Sequence, residues 1–142
     1  MKHQLTLNNN IEEIPRLAMF VDMICEEANA PMSMTMSLNL ALEEAVTNVM
    51  LYAYPAETRG KVKIVCRKRK QGDLSFSIID SGKPFDPTLV KEADITLGVE
   101  ERPIGGLGIF LVKEIMDQVS YKHVNGKNML TLVKSLQETE NL

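Results

Sequence analysis

A chain of 142 residues, 44% hydrophobic and 25% charged, has the size and composition of one globular domain able to bury roughly two-thirds of its unfolded surface. Sixteen Lys plus Arg against nineteen Asp plus Glu leave a net charge of −3, so no global positive field draws in nucleic acid or anionic lipid. No apolar run approaches the roughly 20 residues that span a bilayer, and Met1-Lys2-His3-Gln4-Leu5 opens without a signal-peptide apolar region; a cytoplasmic protein is expected.

His3 to Leu7 alternates as a short first strand, and Asn8, Asn9 and Asn10 break it and offer an N-cap to the next segment. Ile14, Leu17, Ala18, Val21, Ile24 and Cys25 recur at steps of three and four, predicting a helix through about Ala28 with Pro15 in its first turn. A second helix is expected to about Tyr52, capped by Ser33 or Thr35, with Leu38, Ala41, Leu42, Ala45 and Val49 as its buried stripe. Val62, Ile64 and Cys66 alternate with Lys61, Lys63 and Arg67 as a half-buried strand. Leu74 to Ile79 is its hairpin partner through Gln71-Gly72-Asp73, and the basic run Arg67 to Lys70 reads as a solvated turn.

Ser81 to Gly108 carries three of the six prolines and five of the eight glycines and reads as one long irregular segment. Ile109, Val112, Ile115 and Met116 restore helical spacing, after which Val119 to Val124, Asn125-Gly126 and Lys127 to Lys134 form a closing hairpin. Hairpins dominate this order and disfavour a doubly wound parallel sheet. The expected class is α+β, a two-layer α/β sandwich in which three helices cover one face of a mixed, mostly antiparallel sheet. One domain over residues 1–136 and a polar tail over 137–142 are expected.

Three features carry possible chemistry. Glu44 and Asn48 are four apart on the second helix, beside its apolar stripe, so a carboxylate and an amide can converge on one ligand. Such pairs are also common on solvated helix faces. Asp80 follows an apolar strand and precedes Ser81-Gly82, placing a carboxylate at a strand end where a turn-forming role is equally natural. Gly105-Gly106-Leu107-Gly108 directly precedes a helix, a geometry that suits phosphates but lacks the GxxxxGK[ST] pattern of a P-loop. Cys25 and Cys66 are distant and His3 and His123 isolated, so metal-ligand spacing is lacking and two buried thiols are expected.

In their order along the chain, Glu44-Ala45-Val46-Thr47-Asn48, Asp80-Ser81-Gly82-Lys83-Pro84-Phe85-Asp86-Pro87 and Glu101-Arg102-Pro103-Ile104-Gly105-Gly106-Leu107-Gly108-Ile109 resemble the ATP-binding boxes of the GHKL superfamily. The closest resemblance is to its anti-sigma-factor serine kinases, and it covers nearly the whole chain. It implies the Bergerat ATP-binding fold with ATP and Mg2+ as cofactors. It also implies Glu44 as general base, Asn48 as magnesium ligand, Asp80 as adenine reader and Gly82 flanking the adenine. Gly105, Gly106, Leu107 and Gly108 would line the phosphates, residues 86–104 would form a lid, and Thr131 would be a hydroxyl near adenine. Pro84 stands where many members have a second glycine, and the role of Arg102 stays open.

The implied function is a serine/threonine protein kinase that phosphorylates an anti-sigma-factor antagonist protein and in its other state holds a sigma factor. A nucleotide-sensing module that sequesters a partner without phosphorylating it is the alternative. A homodimer through the first strand and helix is a further implication, with neither direct nucleic-acid contact nor a membrane expected.

Overall fold

The computed structural model describes residues 1–55, 57–69, 72–89 and 106–136. Five strands form one sheet: β1 (Lys2–Asn8), β2 (Lys61–Lys68), β3 (Asp73–Asp80), β4 (Gln118–Val124) and β5 (Lys127–Ser135), in the order β1-β2-β3-β5-β4. Three α-helices accompany it among the described residues: α1 (Ile14–Glu27), α2 (Met32–Tyr52) and α3 (Gly106–Ile115). Every strand pairing is antiparallel, so the expected mixed sheet is corrected to a wholly antiparallel one among the described residues. The reason is connectivity: β2 with β3 and β4 with β5 are hairpins, and β3 and β5 then meet head to tail at the centre.

Alternation sets the two faces of the sheet. Leu7, Val62, Ile64, Cys66, Leu74, Phe76, Ile78, Leu130 and Leu132 point to one side and share a single buried cluster with α1, α2 and α3. Leu17, Val21 and Ile24 of α1, Leu38, Leu42 and Val46 of α2, and Ile109 and Val112 of α3 complete it. The helices therefore cover one face, as the hydrophobic periodicity predicts.

Local chemistry places the ends. Asn10 accepts the Glu12 N–H at 3.0 Å and starts the 3-10 turn Ile11–Glu13 that leads into α1. Asn29, at φ 55, ends α1 in a Schellman arrangement: Ala30 N–H donates to Cys25 O at 2.9 Å and Asn29 N–H to Glu26 O at 3.1 Å. The predicted Ser33 or Thr35 cap of α2 is not formed. Extended Pro31 occupies the N-cap position, and the Thr35 hydroxyl donates back to Pro31 O at 3.2 Å. Proline's preset φ already turns the chain into the helix. Asn125 and Gly126, at φ 53 and 75, make the predicted tight turn between β4 and β5.

Candidate functional site

The site is organised along α2. Glu44 is half-buried and Asn48 is only 7% exposed, so Asn48 lies on the buried side of the helix, among the apolar stripe it was expected to flank. Neither side chain makes a hydrogen bond or ion pair to a described residue. Both converge on the first turn of α3. A Cβ on Gly108 would lie 2.7 Å from Glu44 Oε2 and 3.3 Å from Asn48 Nδ2. A side chain at this point would press on the free ends of Glu44 and Asn48, so α3 meets the acid and the amide at a glycine.

That helix begins at Gly106, three residues before the expected start at Ile109. Gly106, Leu107 and Gly108 therefore sit in its first turn and not in a preceding loop, where backbone N–H groups are left free of intrahelical partners. Gly105, Arg102 and most of the expected lid lie outside the described residues.

Asp80 closes β3 at 3% exposure, on the same face of the sheet as the apolar core. Its Oδ1 accepts the Gly82 N–H at 2.8 Å and the Asn128 Nδ2–H at 2.9 Å, while its Oδ2 makes no hydrogen bond to a described residue. Burial lifts this carboxyl above its ordinary range, opposed by the Asn128 and Gly82 hydrogen bonds and by His123. One oxygen is thus spent on structure and the other is left as an acceptor. No fully buried side-chain N or O among the described residues lacks a partner, so that oxygen is not sealed from its surroundings. Gly82 packs on the end of α2, where an added Cβ would fall 2.2 Å from Ala53 O, and the adjacent Lys83 N–H donates to that same carbonyl at 2.8 Å.

Asn128 is absent from the sequence-predicted site, yet it holds this corner together. Besides Asp80 it donates to Lys83 O at 2.8 Å and accepts from the Phe85 N–H at 3.3 Å and from the Tyr121 hydroxyl. A sequence signal existed: Asn128 is in phase with Leu130 and Leu132, a polar residue on the apolar side of β5. Thr131, proposed as the hydroxyl near adenine, is out of that phase. It pairs with Ser77 while Asn128 pairs with Asp80, so Thr131 projects from the opposite face of the sheet and is withdrawn from the site.

Phe85 stacks obliquely on Tyr52 at the end of α2, with ring centroids 5.8 Å apart. Asp86 accepts from the Thr88 N–H at 2.8 Å, and Lys113 of α3 donates to Thr88 O at 3.1 Å. The root of the lid segment is thus tied to α2, β5 and α3. Along α2, Glu44 and Ala53 are separated by roughly 13 Å at 1.5 Å per residue. The arrangement therefore offers a buried acceptor at one end and an acid, an amide and a helix start at the other, which suits an elongated ligand with a base and a phosphate chain.

The same donor set bears on magnesium. No cluster of three or more His, Cys, Asp or Glu exists among the described residues, so no all-protein cage is built. Asn48 supplies one amide oxygen with no competing partner among the described residues. That fits a cation which keeps several waters and takes its remaining ligands from phosphates.

Comparison with known proteins agrees with this geometry. Residues 7–134 match the histidine kinase-like ATPase domain. The chain is 27% identical over 96 residues to the serine/threonine-protein kinase BtrW of Bordetella bronchiseptica, covering 68% of this chain and 67% of that one. It is 30% identical over 107 residues to the serine-protein kinase RsbW of Bacillus thuringiensis, covering 72% of this chain and 65% of that one. The matches thus span about two-thirds of each relative's length. In fold it resembles the RsbU and RsbW domains of a Mycobacterium tuberculosis protein, at TM-score 0.68 and 16% identity over 95% of this chain and 32% of that one. It also resembles a blue-light activated histidine kinase of Erythrobacter litoralis, at TM-score 0.61 and 13% identity over 89% and 42%. The matched stretch contains Glu44, Asn48, Asp80 and Gly108 together, and the chain belongs to the histidine kinase-like ATPase domain family.

Proposed function

We propose that this protein binds ATP with Mg2+ and transfers the γ-phosphoryl group to a serine or threonine hydroxyl of a partner protein. The observation that carries the reading is the convergence of Glu44 and Asn48 on Gly108, with Asp80 held at the far end of the same helix. Asp80 Oδ2 accepts a hydrogen bond from the adenine amine, and Gly82 lets the backbone lie close to the base. The Asn48 amide oxygen is the metal ligand. Bound Mg2+ supplies neutralisation of the charge that develops on the phosphates. Glu44 takes the hydroxyl proton as the new O–P bond forms and the bond from the γ-phosphorus to the bridging oxygen breaks, releasing ADP.

The names of the Bordetella and Bacillus relatives support protein-serine/threonine kinase activity. The sequence resemblance supports an anti-sigma-factor antagonist as substrate and a sigma factor as the protein held in the other state. No helix among the described residues is long and apolar enough to cross a membrane, which supports a cytoplasmic location. A homodimer through β1 and α1 is supported by the exposed Met19 and Met23 on α1 and by β1 forming an edge of the sheet; sedimentation at micromolar concentration checks it.

The test separates catalysis from binding. Asn48→Ala is expected to weaken Mg-ATP binding measured by calorimetry. Glu44→Gln is nearly isosteric and is expected to keep ATP affinity within a few-fold while slowing phosphoryl transfer by roughly 10²- to 10⁴-fold. Transfer by Glu44→Gln at the unmodified rate removes Glu44 as the base. Absence of transfer by the unmodified protein with ATP and its cognate partner bound replaces the kinase with a sequestering module.

A further inference from the structure

Tyr54 lies just past the end of α2 and is 7% exposed. Its ring is packed against Gly60, where an added Cβ would lie 2.2 Å from Tyr54 Cε1. Its hydroxyl donates to Lys61 O at 2.7 Å and accepts the Ser81 N–H at 3.1 Å. One phenol oxygen thus joins the start of β2 to the residue immediately after Asp80. Its neighbour Ala53 accepts the Lys83 N–H at 2.8 Å. Two successive residues of the α2 end therefore grip the turn on either side of Gly82, whose own N–H is held by Asp80 at 2.8 Å.

We propose that Tyr54 is a positioning residue for nucleotide recognition: its hydroxyl holds Ser81-Gly82-Lys83 in the one conformation that leaves Asp80 Oδ2 free for the ligand. The proposal rests on the ATP-binding reading above. Nothing else among the described residues takes the Ser81 N–H, and the geometry around it is strict. The Gly82 Cβ position is blocked by Ala53 O, and the Ser81 amide points at a hydroxyl that is itself fixed by Lys61 O. Releasing Ser81 lets the turn sample other states, and the ligand must then reorder it on binding. The hydroxyl bonds Lys61 O and the Ser81 N–H and makes no bond to Glu44, so the effect belongs to affinity and not to the transfer step.

Tyr54→Phe tests this, because it keeps the ring against Gly60 and removes only the oxygen. Ser81 is exposed, so water can take its freed N–H and the fold is retained. ATP affinity by calorimetry is expected to fall about 3- to 10-fold, the worth of one neutral hydrogen bond. The KM for ATP should rise in step while kcat at saturating ATP stays within about twofold. Amide exchange at Ser81 and Gly82 should be faster in the nucleotide-free variant and return to the unmodified rate when ATP is saturating. Unchanged affinity, unchanged exchange, or a parallel fall of kcat and thermal stability overturns the proposal. If the unmodified protein binds no ATP, the functional reading fails first and takes the proposal with it. If it binds ATP and Tyr54→Phe binds equally well, the proposal alone is lost.

Discussion

Asp80 concentrates the competing demands of this molecule at one side chain. Its carboxyl is buried, one oxygen organises the Gly82 turn and the Asn128 amide, and the other has no hydrogen-bond partner among the described residues. Burial raises its pKa, and a raised carboxyl stabilises the fold at low pH, a contribution lost as pH rises through the folded-state value. Stability should therefore decline across the window just above the ordinary carboxylate range. Asp80→Asn, which cannot ionise, removes that decline and is expected to be at least as stable as the unmodified protein at pH 7. It is also expected to bind ATP roughly 10- to 150-fold more weakly, since a charge-assisted hydrogen bond is lost. Thermal melts from pH 4 to 8 with calorimetric titrations check both halves, and retained affinity for ATP over GTP removes Asp80 as the base reader.

At the scale of elements, α2 carries the site because it touches both of the glycines that matter, and the two contacts differ in kind. Gly108 faces the ends of the Glu44 and Asn48 side chains, which can swing aside, whereas Gly82 faces the Ala53 carbonyl, which cannot. Gly108→Ala is expected to keep or raise stability, because alanine in a helix is worth up to about 1 kcal/mol over glycine. Its methyl displaces Glu44, so phosphoryl transfer should fall at least tenfold. Gly82→Ala has no such escape and should lose about 1 to 3 kcal/mol of stability, the usual penalty of overpacking. Denaturant melts beside transfer assays on the two variants distinguish them; equal destabilisation by both would mean that Glu44 is held as rigidly as the backbone.

At the scale of the whole molecule, the described residues form one sheet with its helices on one side, and the two thiols sit inside the core between them. Burial pushes the Cys66 thiol up to about 12, with Cys25 and Glu27 adding to it, and burial raises Cys25 against a hydrogen bond from Thr35. Since the thiolate is the reactive form, neither cysteine should react with an aromatic disulfide reagent at pH 8 in native buffer, and both should react in denaturant. Labelling should track global unfolding. Rapid labelling of one thiol in native buffer would show that the layer between α1 and β2 opens locally.

Hydrophobic period and turn chemistry are local properties, so the strands, the helices, the Asn125-Gly126 turn and the helical layer over one face were all legible along the chain. So was the alignment of Glu44 with Asn48, because helical spacing alone stacks them. The sheet order and the partner of Asp80 were not, since they depend on which strands meet, and β3 and β5 lie far apart in sequence. A shift of one residue along a strand exchanges its two faces. The family resemblance pointed to Thr131 for its hydroxyl, and only the pairing of β3 with β5 shows that Asn128 is the residue beside Asp80. Tyr54 was likewise invisible, because a helix-ending tyrosine becomes a tether only when folding brings Gly60, Lys61 and Ser81 around its ring and hydroxyl. Sequence periodicity thus determined the elements and the residue types available for chemistry. Long-range strand pairing and close packing decided which of those residues share one site.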